Sequence, residues 1–324
     1  MIDPSQRKID YLRISITDRC NERCLYCMPE GFTDWKERED ILTYEEILSV
    51  VGVAVRLGFR KFRVTGGEPL VRRDVVHFIA GLIATEGVEH VGLSTNATRL
   101  AHVAGELARV GLRSANISLD ATDPQIYQRI TGGRLQDVIA GIDAALAAGI
   151  SRIKLNAVLM RGVNEDQVWP LLDFAASRAL PIRFIELMPV SLTEMLDDSN
   201  FFPIAEAKRQ IGERTALVPE TTQLGFGPAA YYRAPELGIS IGFIGAMTNL
   251  HFCETCTKMR LTADGKIRPC LGNHEEVDLQ PALRPVIDEA QIESSFLEAL
   301  ERKPPEHSFR DSYQPRRIMT AIGG

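Results

Sequence analysis

A chain of 324 residues that is 45% hydrophobic and 25% charged, with 25 glycines and 17 prolines, has the makeup of a globular protein, which sets aside extensive disorder, collagen and coiled coil. Its 43 acidic and 37 basic residues give a formal charge of -6, so no general attraction to nucleic acid or an acidic membrane is expected, and an anionic ligand has to be met by local charge. The opening run, MIDPSQRKIDYLRIS, lacks the apolar core of a secretory leader and no segment approaches bilayer length, so a cytoplasmic location is the expectation.

Along the chain, Leu12, Ile14 and Ile16 alternate with Arg13 and Ser15, and residues 11–17 read as a strand feeding a loop with three cysteines. Thr43 with Glu46 three residues on reads as a capping box. Ile47, Leu48, Val51, Ala54 and Val55 follow at helical spacing, to an end near Gly58. Strands at 61–65, 88–95 and 114–119 then alternate with helices at 74–84 and 99–110. A helix over 135–148, a strand over 152–160, a helix capped by Asn164 and running to Arg178, and a strand over 182–187 complete the series.

Six β units separated by helices predict an α/β fold with a parallel sheet, doubly wound or closed toward a barrel. In both cases the active site lies at the carboxyl ends of the strands. The chemistry-bearing residues follow strands accordingly: the cysteine loop after the first, Gly66-Gly67-Glu68-Pro69 after the second, Thr95 and Asn96 after the third, Asp120 after the fourth. Beyond Pro189 the alternation stops. A more irregular stretch rich in Gly, Pro and aromatics (Phe226, Gly227, Pro228, Tyr231, Tyr232) leads to a second cysteine group, and a domain boundary is placed near residue 195.

The six cysteines form two triplets, Cys20, Cys24 and Cys27 as C-x3-C-x2-C, and Cys253, Cys256 and Cys270 as C-x2-C-x13-C. Grouped thiolates in a chain expected in the cytoplasm point to zinc or iron–sulfur before disulfides. Three thiolates leave one iron of a cubane uncapped and able to bind substrate, whereas structural zinc takes four ligands. His251 or His274 would supply a fourth ligand at the second triplet, where spacing alone leaves zinc and cubane both open.

The first triplet, with aromatic Tyr26 before its last cysteine, resembles the radical S-adenosylmethionine signature, and the Gly66-Gly67-Glu68-Pro69 turn is similar to that family's motif for the methionine amino group. End to end the chain resembles the GTP 3′,8-cyclase family: residues 11–20 its opening strand, 183–189 its sixth strand, 253–271 its second-cluster loop, and Ile322-Gly323-Gly324 its terminal Gly-Gly. The resemblance implies a partial (β/α)6 TIM-like barrel over residues 1–195 with a first [4Fe–4S] cluster on Cys20, Cys24 and Cys27. It also implies a C-terminal iron–sulfur domain over 196–324, with a second [4Fe–4S] cluster on Cys253, Cys256 and Cys270 whose open iron meets guanine. Cleavage of S-adenosylmethionine would give a 5′-deoxyadenosyl radical that takes the ribose 3′ hydrogen of GTP. Ring closure onto C8 then yields (8S)-3′,8-cyclo-7,8-dihydro-GTP, the opening step of molybdenum cofactor biosynthesis.

Position by position, the resemblance implies that Gly67, Ser118, Met188 and the Tyr26 backbone hold S-adenosylmethionine. It implies that Arg13, Arg63, Ser94, Lys154, Lys258, Met259 and Arg260 hold GTP, and that Arg13, Gly323 and Gly324 act at the reaction. Implied partners are a low-potential electron donor and a downstream cyclic pyranopterin monophosphate synthase; no nucleic acid or membrane is expected, and a homodimer is left open. One departure stands out: Thr257 and Lys258 replace the Asn-Arg pair expected after the second CxxC, which keeps a charge but loses bidentate geometry. A dual-cluster enzyme modifying a peptide and a non-enzymatic metal scaffold are the competing readings, and neither uses the Gly-Gly tail.

Overall fold

Apolar side chains at every second strand position bury one face of a sheet against helices and leave the other face free for different residues. The six expected strands do this. The computed structural model describes residues 1–323 except Glu194, Leu196, Asp198, Thr222, Gln223 and Ser312. In it β1 (Tyr11–Ser15), β2 (Lys61–Thr65), β3 (His90–Thr95), β4 (Ser114–Ser118), β5 (Arg152–Leu159) and β6 (Ile182–Glu186) lie side by side in chain order, all parallel. The order has no switch point, so the sheet is a partial barrel and not a doubly wound sheet.

Leu12, Ile14, Phe62, Val64, Leu93, Ile117, Leu155 and Phe184 are fully buried in one core with the crossover helices. Those helices are α1 (Tyr44–Arg56), α2 (Val75–Ala84), α3 (Leu100–Arg109), α4 (Pro124–Thr131), α5 (Leu135–Ala147) and α6 (Val168–Ser177). The capping box of α1 forms as expected: Glu46 N donates to Thr43 Oγ1 at 3.1 Å, and Thr43 N donates to Glu46 Oε2 at 2.6 Å. The sequence reading omits α4, although Asp123 caps it with Oδ1 and Pro124 occupies its first turn.

The region past β6 is more regular than its composition suggests. It holds α7 (Ile204–Gly212), β7 (Val218–Pro219), β8 (Ala230–Ala234), β9 (Ile239–Ile244), β10 (Lys258–Leu261), β11 (Lys266–Arg268), β12 (Val277–Asp278), α8 (Gln280–Leu283), α9 (Glu289–Glu301) and α10 (Met319–Ile322). Its strands extend both edges of the barrel sheet. β9 adds parallel to β6 and carries β8 and β7 antiparallel; β10 adds parallel to β1 and carries β11 and β12 antiparallel.

Asn164 is not the helix cap that the sequence suggests. A short 3-10 turn, Glu165–Gln167, precedes α6, and the Asn164 side chain makes no cap bond. Fully buried, it accepts from Met160 N at 2.8 Å and donates to Asp120 O at 2.8 Å and Val158 O at 2.9 Å, cross-linking the ends of β4 and β5. Asn164→Ala is therefore expected to cost about 3 kcal/mol by leaving buried backbone groups unpaired, against about 1 kcal/mol for a lost cap. Anaerobic chemical denaturation distinguishes the two, and a loss near the smaller figure would restore the cap.

Candidate active site

The side chains opposite the apolar set point inward, and most of them are polar. Those of β1 to β6, with β10, line a cavity of about 830 Å³. Sheet register places Arg260, Arg13 and Arg63 level with one another on three neighbouring strands, β10, β1 and β2. Lys154, Arg183 and Lys258 line the same cavity. Arg63 donates from Nε to Tyr11 Oη at 2.6 Å and from Nη1 to Leu93 O at 2.8 Å. Arg183 donates from Nε to Asn156 Oδ1 at 2.8 Å, and its Nη2 is buried with no hydrogen-bond partner among the described residues.

Burial disfavours the charged form of a cation, and neighbouring like charges add to the effect. Burial, then the neighbouring Arg183, Arg63 and Arg152, bring Lys154 down to about 8. Burial foremost brings Arg13 to about 10 and Arg260 to about 9, and lowers Lys258 and Arg183. A wall of this kind fits a polyanion. Ser94 belongs to the same cavity. Arg183 and its neighbour Arg152 were missed as site residues; strand parity was the available signal, since both share the inward parity of Lys154 and Ile185 across paired strands.

Around the first cysteine triplet the charge reverses. Cys20, Cys24 and Cys27 follow β1 and share the cavity with Glu22, Glu68 and Asp120. The loop after β2 can lie against this segment only because Gly66 and Gly67 lack side chains: a Cβ on Gly67 would stand 2.2 Å from Arg19 O, and one on Gly66 2.5 Å from Thr17 O. Glu68 then latches two loops together. Its Oε1 accepts from Leu70 N at 2.9 Å and Thr95 Oγ1 at 2.8 Å, and its Oε2 from Asn96 N at 2.7 Å.

Tyr26 Oη donates to Asp120 Oδ2 at 2.7 Å, and Tyr127 Oη to Glu22 Oε1 at 2.7 Å. Burial raises Glu22 and Glu68 to about 7 and Asp120 to about 6, so an adjacent cation would favour their ionised forms. The Cys20 thiol is pushed up to about 12 by burial, and Cys24 and Cys27 are raised as well. Gly67, Ser118 and Met188 border the same space.

The second triplet, Cys253, Cys256 and Cys270, lines the same cavity, as do Met319 and Thr320 near the chain end. Gly323 is buried at a φ of +79°, where a Cβ would lie 3.0 Å from Ser15 Cβ; its carbonyl accepts a hydrogen bond from Arg260 Nη1. Gly324, expected to act with it, lies outside the described residues. Met259 departs from the GTP-holding assignment: β10 alternates, so its side chain points away from Lys258 and Arg260 into the core. His251 is exposed and paired with Glu254 at 2.6 Å, His274 stacks on Tyr313, and neither lines the cavity. Thr257 accepts from Asp10 N and Tyr11 N through its carbonyl, while its buried hydroxyl has no hydrogen-bond partner among the described residues and the exchange for asparagine has no structural explanation.

None of the six cysteines is in a disulfide. Among the described residues no three His, Cys, Asp or Glu side chains are grouped so as to hold a single metal ion. Two sets of three soft ligands, each facing one cavity, fit two iron–sulfur cubanes. The carboxylates beside the first set suit a cationic sulfonium ligand.

Two family patterns divide the chain. The Radical SAM superfamily pattern matches residues 14–175, and that of Molybdenum Cofactor Synthesis C matches residues 180–309. A protein of Moorella thermoacetica named GTP 3′,8-cyclase is 43% identical over 325 residues, covering 100% of both chains, and one of Petrotoga mobilis with the same name is 40% identical over 326 residues, again covering 100% of both. The crystal structure of Streptococcus suis SuiB bound to S-adenosylmethionine matches with a TM-score of 0.62 at 15% identity, over 97% of this chain and 77% of that one, which shows a shared fold.

A lysine at about 8 is charged below that pH and neutral above it, and a polyanion beside it raises its pKa. Binding of inorganic tripolyphosphate above pH 8 should then take up a proton and weaken by up to about tenfold per pH unit. Calorimetry in buffers of differing ionisation enthalpy measures the uptake, and Lys154→Met should reduce it near pH 8, leaving the share of Arg260 and Lys258 at higher pH.

Proposed function

Because the chain belongs to the GTP 3′,8-cyclase family of radical S-adenosylmethionine enzymes and acts on GTP in molybdenum cofactor biosynthesis, we propose a division of that work among its own residues. Cys20, Cys24 and Cys27 hold the first [4Fe–4S] cluster, and Cys253, Cys256 and Cys270 hold the second. Bound there, the clusters and S-adenosylmethionine supply the radical chemistry that converts GTP to (8S)-3′,8-cyclo-7,8-dihydro-GTP. Gly67, Ser118, Met188 and the Tyr26 backbone cradle S-adenosylmethionine, and Glu22 and Asp120 balance its positive charge.

Arg13, Arg63, Lys154, Lys258 and Arg260 hold GTP through its phosphates, with Ser94 as a neutral donor and Arg183 as an added cation. Gly323, bonded through its carbonyl to Arg260, narrows the space in which the ribose turns and excludes water, and Gly324 acts with it at the reaction. Residues 1–195 form the barrel unit and 196–324 the C-terminal unit. A cytoplasmic setting, a low-potential electron donor and delivery of product to a cyclic pyranopterin monophosphate synthase complete the reading. The observation that carries it is that both thiol triplets and the cationic wall line one cavity.

Anaerobic assays separate the two triplets. Cys24→Ala should abolish formation of 5′-deoxyadenosine, because two thiolates do not hold a reducible cubane. Cys256→Ala should retain cleavage of S-adenosylmethionine while losing the GTP-derived product, and unchanged GTP turnover would remove the second triplet from the reaction. Deleting Gly323 and Gly324 should leave the iron content intact and slow cyclisation by about a hundredfold, the scale expected when a reacting group is misplaced by an ångström. A wild-type rate in the truncated chain would refute the role of the tail.

A further inference from the structure

Lys303, two residues beyond the end of α9, is 4% exposed, and none of the ion pairs among the described residues involves it. Its Nζ donates to Lys258 O at 2.8 Å and to Pro269 O at 2.5 Å, and stands 3.8 Å from Cys256 Sγ. These contacts engage the three donors of an ammonium, and two carbonyls fix its direction. Lys258 is two residues after Cys256, and Pro269 immediately precedes Cys270, so the ammonium bridges the two arms of the second triplet.

A buried charge needs a counter-charge. Arg7, which also reaches this loop, has one: it donates to Cys253 O and Pro304 O but is paired with Asp3 at 2.7 Å. For Lys303 the anionic group within reach is sulfur. Hydrogen bonds to cluster sulfurs and local positive charge favour the more negative, reduced state of a cluster. We propose that Lys303 is a positioning residue for the second thiolate triplet that raises the reduction potential of the cluster held there, by setting a fixed ammonium against Cys256. The inference rests on the assignment of Cys253, Cys256 and Cys270 to that cluster.

The test uses the anaerobically reconstituted enzyme and its Lys303→Met and Lys303→Gln variants. Iron, sulfide and zinc are counted, and a potentiometric titration is followed by electron paramagnetic resonance, the first-cluster component being identified by its response to S-adenosylmethionine. Wild-type protein with about eight irons, and variants in which the second component alone moves to more negative potential, support the proposal. Variants with full iron and an unmoved second component overturn it. So does loss of the second cluster from both variants, since the cysteines are held to bind it without Lys303. Wild-type protein with one cluster and a zinc ion overturns the cluster assignment itself, and is told apart from failure of the Lys303 inference by the metal count.

Discussion

Six cationic side chains on one buried wall, in a chain whose overall charge is negative, are tolerable only opposite an anion. Register puts Arg260, Arg13 and Arg63 abreast, and burial with mutual repulsion holds Lys154 at about 8. The barrel pattern makes this wall: apolar residues at alternate positions face the helices, so the inward face of each strand is free to be polar. A nucleoside triphosphate has the charge to balance such a wall, and the family to which the chain belongs acts on GTP.

The rest of the cavity is organised against this pole. At the carboxyl ends of β1, β2 and β4 the lining turns acidic, with Glu22, Glu68 and Asp120 around three cysteines. Gly66 and Gly67 let two loops touch, and Glu68 joins the second of them to the loop after β3, so the cysteine loop is braced by backbone and carboxylate contacts. The C-terminal strands complete the enclosure by adding to both edges of the sheet. That arrangement brings the second triplet into the cavity lining and Gly323 to Arg260.

The barrel half was legible because strand alternation and helix caps are local signals: β1 to β6, α1 and the glycine turn all follow from short stretches. The C-terminal strands were not, since they pair with β1 and β6 over long sequence separations, and β7 and β12 are only two residues each. Asn164 resembles a cap in sequence, but three tertiary hydrogen bonds to β5 and the β4 loop draw its side chain inward. Met259 and Arg183 are the reverse case, because counting parity from their strand neighbours assigns one to the core and the other to the cavity. Lys303 carried no signal at all: a lysine after a helix ordinarily lies in solvent, and only the fold brings it to Cys256.

The central claim is that one cavity holds the nucleotide between the two thiol triplets with its ribose turned toward the first. Turnover of GTP deuterated at the ribose 3′ position tests this most directly, with the 5′-deoxyadenosine analysed by mass spectrometry. Deuterium appearing in 5′-deoxyadenosine in step with the cyclised product is the predicted result. Product formed alongside 5′-deoxyadenosine that carries no deuterium would contradict it.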